Sequence, residues 1–87
     1  MKPFFPKKFL KRLKKRSAEE QEKFYEAIAL FVENAHHPLL RNHRLRGRYA
    51  AYRSIDVTGN LRAVYKEFPG NIARFSAFDT HHQLYGT

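Results

Sequence analysis

The chain has 87 residues, of which 43% are hydrophobic and 15% aromatic, so it suits one folded domain with a modest core rather than a disordered tail. It has no cysteine, which excludes a disulfide framework and a thiol catalyst, and it has no apolar run near the roughly 20 residues that span a bilayer. The net charge of +9 is uneven, because residues 1–16 carry eight Lys or Arg and no acid, and it favours a nucleic-acid partner over an acidic protein.

The N-terminal segment predicts a short edge strand followed by a basic helix. Phe4 and Phe5 are apolar, and Pro6 suits the first turn of a helix. The following residues place apolar side chains on one helical face and lysines around it. We therefore expect a first helix that packs through its apolar face and presents a basic surface to solvent.

A second helix begins at a capping box. Ser17 and Glu20 have the spacing at which each side chain caps the other's backbone N–H. Apolar residues then recur at 3.6-residue spacing and predict a core-facing stripe of Phe24, Tyr25, Ile28, Phe31 and Val32. The helix is expected to end near Asn34, before Pro38.

The second half of the chain predicts strands. Residues 52–58 alternate in polarity, Gly59-Asn60 forms a tight turn, residues 61–68 return, and Pro69-Gly70-Asn71 turns again into residues 72–78. Such a meander predicts an antiparallel sheet. The whole chain, residues 1–87, is thus expected to be a single α+β domain, with two N-terminal helices packed on one face of a small antiparallel sheet and the other face left for function.

Four segments in this order resemble the RelE/ParE toxin superfamily. They are His-Arg-Leu-Arg-Gly at 43–47, Ala-Tyr-Arg-Ser-Ile-Asp-Val at 51–57, Leu-Arg-Ala-Val-Tyr-Lys at 61–66 and Thr-His-His-Gln-Leu-Tyr-Gly at 80–86. The last resembles in particular the ending of the YafQ-like toxins. The resemblance covers residues 41–87 well and residues 1–40 loosely, and it implies the RelE-like fold.

The resemblance also implies a function. Such a protein is the toxin of a type II toxin–antitoxin system, an endoribonuclease that cuts mRNA on the ribosome and so inhibits translation. The 2′-OH of the RNA attacks the neighbouring phosphate and leaves a cyclic phosphate and a 5′-OH, with no metal and no other cofactor. The implied partners are a cognate antitoxin from the same operon, the ribosome and mRNA. No membrane is involved, and the implied location is the cytoplasm of a bacterium or archaeon.

This chemistry requires a base, an acid and a fixed cation, for which histidine and arginine are suited. His81 matches the C-terminal catalytic histidine of the family, although a histidine in a His-His pair is by itself more often a surface residue. His43 matches a histidine that precedes the Leu-x-Gly segment, and a loop histidine bonded to a backbone carbonyl is an equal alternative. Arg62 matches the strand arginine that contacts the scissile phosphate, with an exposed strand arginine paired to an acid as the alternative.

Further residues are expected to bind RNA. Tyr85 matches the family's C-terminal aromatic residue, which stacks on a base or assists protonation, with a tyrosine that closes the core as an equal alternative. Arg46 and Arg53 are candidate phosphate contacts. The basic helix is expected to contact the ribosomal RNA backbone, without sequence choice, through Lys11, Lys14 and Lys15.

Two departures from the YafQ-like pattern affect the site. Asp56 stands where those toxins have a catalytic histidine, and Asn60-Leu61 stands where they have Asp-Trp. Asp56 either acts as a base, orients His81 or His43, or marks a weakened enzyme. Two alternatives to the ribonuclease therefore remain: a non-enzymatic ParE-like toxin that acts on DNA gyrase, and a catalytically weakened homologue that binds RNA or protein.

Overall fold

The computed structural model describes residues 1–80 and Leu84. Its helices and strands are, in chain order, β1 (Lys2–Phe4), α1 (Lys7–Lys14), α2 (Ala18–Glu33), β2 (His43–Arg44), β3 (Tyr52–Asp56), β4 (Leu61–Phe68) and β5 (Ile72–Thr80). Short 3-10 turns occupy Pro38–Leu40 and Gly47–Tyr49. Within the described part of the chain, neither helix has the length and apolar character that crossing a membrane requires.

The five strands form one sheet in the order β1-β5-β4-β3-β2. The neighbours from β2 to β5 are antiparallel, whereas β1 joins β5 in parallel, with Lys2 opposite Ile72. The sheet is therefore mixed, and the prediction of a wholly antiparallel sheet is wrong at this edge. Two helices and most of the sheet separate β1 from β5, so no tight turn constrains the pair to run antiparallel.

Helix α2 begins and ends at the residues that the sequence predicts. Glu20 N–H donates to Ser17 Oγ at 3.1 Å, and Ser17 N–H donates to Glu20 Oε1 at 3.2 Å, which completes the predicted capping box. The helix ends at Glu33, and Asn34 already has an extended backbone. The turn between β4 and β5 places Gly70 and Asn71 at positive φ, as its composition predicts.

An aromatic core lies between the two helices and one face of the sheet. Ring centroids of Phe24 and Phe78 lie 5.1 Å apart, and those of Phe31 and Tyr65 lie 5.0 Å apart. The buried stripe of α2 consists of Phe24, Ala27, Ile28 and Phe31. The predicted stripe is wrong at Tyr25 and Val32, which are 53% and 50% exposed, because each lies about 100° further around the helix than its buried neighbour.

The opposite face of the sheet is covered by neither α1 nor α2, and we call it the open face. Side chains alternate along a strand, so residues in register with one another project from the same side. The register places Tyr52, Ser54 and Asp56 of β3 opposite Lys66, Val64 and Arg62 of β4 on this face. Their neighbours Ile55, Ala63 and Tyr65 are buried beneath the helices.

Candidate active site on the open face

The centre of the candidate site is an ion pair between adjacent strands. Asp56 of β3 lies directly opposite Arg62 of β4, and Arg62 Nε is 2.9 Å from Asp56 Oδ1. Both side chains are only 16% exposed. Arg62 Nη1 also donates to the backbone carbonyls of Thr58 at 3.0 Å and Gly59 at 3.2 Å. The hairpin turn and the carboxylate together hold the guanidinium plane in one orientation.

A second arginine adds positive charge beside this pair. Arg41 Nε lies 3.9 Å from Asp56 Oδ2, and the Arg41 side chain is 81% exposed. Asp56, Arg41 and Arg62 line one depression of about 380 Å³. Two guanidinium groups against one carboxylate leave a net positive charge, which favours an anionic ligand such as phosphate. The sequence analysis missed Arg41, because the left-handed turn that points it here (φ 47°) has no local signature.

His43 lies on the same face, one strand further out. It is opposite Ser54, so Asp56 is its diagonal neighbour at about 7–8 Å between backbone positions. His43 Nδ1 lies 2.9 Å from the carbonyl oxygen of Arg41. A carbonyl oxygen only accepts, so Nδ1 must carry the hydrogen, and neutral His43 presents an unprotonated Nε2. In this tautomer Nε2 is the ring nitrogen that can accept a proton as a general base.

An apolar cleft of about 210 Å³ adjoins the ion pair on the open face. It is lined by Leu45, Tyr49, Tyr52, Val64, Ser76, Ala77 and Leu84. Tyr49 is 50% exposed, and the guanidinium carbon of Arg48 lies 5.6 Å from its ring centroid. Exposed rings with cations nearby provide surfaces on which nucleobases stack. The alternation in residues 52–58 already places Tyr52 and Asp56 on one face, but no sequence signal places Tyr49 there.

Arg53 projects to the other face of the sheet. It is in register with buried Tyr65, and its Nε donates to Asn42 Oδ1 at 2.7 Å. Asn42 Nδ2 in turn donates to Tyr65 Oη at 2.7 Å and to the carbonyl oxygen of Ala35 at 2.8 Å. Burial raises the pKa of Tyr65, and these hydrogen bonds partly offset that effect. In the structure Arg53 thus belongs to a structural network, away from the candidate phosphate site.

Four of the remaining predicted site residues lie in the described part of the chain. Lys11 and Lys14 are exposed on α1, and exposed Lys15 directly follows the helix, on the helix-covered side of the domain. Arg46 is exposed and lies between the cleft residues Leu45 and Tyr49. His81 and Tyr85 lie outside the described residues.

Solved structures match the fold over nearly the whole chain. YafQ from E. coli strain BL21(DE3) has a TM-score of 0.77 at 20% identity, with 97% of each chain covered. The YoeB/ParE toxin from Agrobacterium tumefaciens has a TM-score of 0.73 at 20% identity, with 93% of this chain and 99% of that chain covered. The chain has the fold of the YafQ and YoeB toxins. The α+β, YafQ-like fold expected from the sequence is thus confirmed.

The YafQ fold also appears in a solved assembly. The E. coli DinJ-YafQ toxin-antitoxin complex matches with a TM-score of 0.75 at 22% identity, covering 97% of this chain and 96% of that chain. Neither a protein-family model nor a curated protein matches the sequence. At identities near 20% the match establishes the YafQ fold, and the activity has to be argued from the side chains of the open face.

Proposed function

We propose that the protein is the toxin of a type II toxin–antitoxin pair and that it cleaves mRNA on the ribosome. The observation that carries this proposal is the arrangement on the open face. A fixed guanidinium (Arg62), a histidine with a free Nε2 (His43) and an apolar cleft with exposed tyrosine lie on one surface of a strongly basic domain. The guanidinium and the histidine would supply two of the three groups that metal-independent RNA cleavage needs, the cation and the base.

Each group has a chemical role in the proposed reaction. His43 Nε2 takes the proton of the 2′-OH, whose oxygen then attacks the adjacent phosphate. Arg62 uses Nε and Nη1 in bonds to the protein, so Nη2 is the nitrogen that would meet a phosphoryl oxygen as its charge grows. Asp56 holds the guanidinium and is a positioning residue. His81, assigned through the family resemblance, would protonate the leaving 5′-oxygen.

The surroundings would select and bind the RNA. The apolar cleft has room for an aromatic ring, and Tyr49 offers a face for a base next to the reacting phosphate. Tyr85, Arg46 and the exposed cations of α1 would add contacts to the mRNA and to the ribosomal RNA backbone. Those contacts are electrostatic and would weaken as salt is raised.

The proposed partner in the resting cell is a cognate antitoxin. YafQ occurs in complex with DinJ, and the same fold in this chain carries a net charge of +9. An acidic antitoxin segment would neutralise that charge and compete with RNA for the same surface. The proposed place of action is the cytoplasm, where translation occurs.

The test is primer-extension mapping of a translated reporter mRNA in a reconstituted translation mixture. Wild-type protein is expected to produce cuts at A-site codons. Arg62→Gln is expected to reduce cleavage by about 10²–10³-fold, the cost of removing one donor to the developing charge. His43→Ala and His81→Ala are each expected to slow cleavage, because each removes a proton-transfer group.

Arg44→Gln provides the matched control. Arg44 is an exposed arginine next to His43, but it pairs with Arg53 and so projects from the other face. Cleavage by Arg44→Gln is expected to stay within about twofold of wild type, because the change lies outside the reacting surface. Intact mRNA in the presence of wild-type protein, at concentrations that stop cell growth, would contradict the proposal and favour a target other than RNA.

A further inference from the structure

A second group of side chains lies on the open face, beyond the apolar cleft. The register aligns Tyr52 of β3, Lys66 of β4, Arg74 of β5 and Phe4 of β1 in one row across four strands. In the next row Phe68 pairs with Ile72, which pairs with Lys2. We call the rings and cations of these rows the aromatic–cation strip: Tyr52, Lys66, Phe68, Arg74, Phe4 and Lys2.

The rings of the strip are accessible, and cations lie among them. Phe4 is 53% exposed, which is unusual for a phenylalanine in a domain with an aromatic core. Lys66 Nζ lies 5.8 Å from the ring centroid of Tyr52 and 5.6 Å from that of Phe68. Phe4, Phe68 and Arg74 also line a groove of about 440 Å³. Rings and positive charges thus lie side by side on one surface, and the apolar residues Pro3 and Ile72 line the same groove.

The strip carries no acid among its described residues. Glu67 is the nearest in sequence, but it pairs with buried Ala73 and therefore projects from the other face. The strip is thus uniformly positive between its rings. A surface of stacking rings with a positive charge beside each ring is typical of sites that bind single-stranded nucleic acid without sequence preference.

The distances fit a short length of RNA. Strands are spaced at about 4.8 Å, so Tyr52 and Phe4 are separated by about 14 Å across the sheet. Along β4, Arg62 and Lys66 are four residues, or about 13 Å, apart. A strand with its reacting phosphate at Arg62 would reach the strip after about three to four stacked nucleotides.

We propose that the aromatic–cation strip binds single-stranded RNA on one side of the cleaved phosphate. Bases stack on Phe4, Phe68 and Tyr52, and Lys66, Arg74 and Lys2 contact phosphates. The inference extends the proposed function, since it supplies the track for the same RNA strand. We favour RNA because cations lie beside the flat rings of Phe4 and Phe68. Binding of an acidic protein segment is the contrary outcome of the test.

Direct binding tests this independently of cleavage. The probe is a fluorescein-labelled 2′-O-methyl oligouridylate of about eight nucleotides, which lacks the attacking hydroxyl and matches the typical site size. Anisotropy titrations use the full chain. Phe4→Ala is expected to weaken binding about 5-fold or more, the loss of one stacked base. The double variant Lys66→Gln/Arg74→Gln is expected to flatten the slope of log affinity against log salt by about 1.4, for two lost phosphate contacts.

Helix α2 supplies the matched controls. Tyr25 is 53% exposed, the same as Phe4, and Lys23 is an exposed lysine on the same helix. Tyr25→Ala and Lys23→Gln are expected to bind the oligouridylate as wild type does. Thermal unfolding of Phe4→Ala checks that this variant keeps the stability of the wild type. The same measurement is made on the double variant, in which Arg74 is exposed and Lys66 half-buried.

The outcomes separate this inference from the proposed function. Arg62→Gln is expected to lose cleavage and to weaken oligouridylate binding only by one phosphate contact, because the strip is untouched. Wild-type affinity and salt slope in Phe4→Ala and in the double variant would overturn the strip, even if wild-type protein cleaves mRNA. Strip variants that bind RNA normally but lose the antitoxin would assign this surface to a protein segment and likewise overturn the inference.

Discussion

Asn42→Ala is the most informative single change outside the reacting groups. The Asn42 side chain makes three hydrogen bonds, to Tyr65 Oη, to the Ala35 carbonyl and from Arg53 Nε, at 2.7, 2.8 and 2.7 Å. It thereby ties the segment before β2 to the buried centre of β4 and to the end of α2. Because His43 is the next residue, the same bonds fix the backbone that presents the proposed base.

The expected loss is large for so small a domain. Each net hydrogen bond contributes about 1 kcal/mol, and a partly buried group left unpaired costs about 1–3 kcal/mol, so Asn42→Ala is expected to lower the free energy of unfolding by about 3 kcal/mol. For a domain of this size that corresponds to a fall in Tm of about 12 °C or more. Asn42→Asp keeps an acceptor for Arg53, and Tyr65 can turn its hydroxyl to donate to it, so about half of the loss should be recovered.

Urea unfolding followed by circular dichroism measures both variants. Asn60→Ala, in the exposed β3–β4 turn, is the matched control and is expected to change the free energy of unfolding by less than about 0.5 kcal/mol. A loss below about 1 kcal/mol for Asn42→Ala would refute the reasoning. It would mean that the three hydrogen bonds contribute little to stability or are replaced in the variant.

Two further changes test the described contacts. Burial raises the pKa of Tyr65 above its ordinary value of 10.0, so the stabilisation from its neutral form is complete below about pH 10 and is lost as pH rises through the folded-state pKa. The free energy of unfolding should therefore fall more steeply above pH 10 in wild type than in Tyr65→Phe, measured by urea titration; equal slopes would contradict this. Ser17→Ala removes the cap of α2 and should cost about 1 kcal/mol, whereas Ser17→Asp, which can still accept from Glu20 N–H, should stay near wild type in thermal melts.

Much of the fold follows from local chemistry that the sequence displays. The capping box at Ser17, the positive-φ turn at Gly70 and the alternation that produces β3 and β4 each act over a few residues. The parallel pairing of β1 with β5 is different. It depends on where the helices return the chain, and no pattern in residues 2–4 specifies it. The prediction that Tyr25 and Val32 are buried is wrong for a related reason. Hydrophobic periodicity locates an apolar stripe on a helix but does not define where the stripe ends.

The residues of the candidate site also differ in whether local sequence determines their positions. Asp56 and Arg62 stand opposite each other because the Gly59-Asn60 turn sets the register of one hairpin, which is local information. Arg41 and Tyr49 reach the open face from irregular segments, whose directions depend on single backbone torsions. Arg53 was expected to contact RNA, but strand alternation places its side chain on the helix-covered face, where it bonds Asn42, 11 residues away in sequence. The expectations for His81 and Tyr85 remain predictions.

The pairing of Lys2 with Ile72 has a consequence for when the protein can fold during its synthesis. As synthesis proceeds, Phe9 of α1 and Phe24 of α2 can contact each other, but their partners Phe75 and Phe78 on β5 have not yet been made. Likewise, β1 has no strand to pair with until β5 has been synthesised. The domain therefore cannot fold until translation has passed β5. A product truncated before that strand is expected to expose apolar surface, to aggregate and to be bound by chaperones or degraded by proteases.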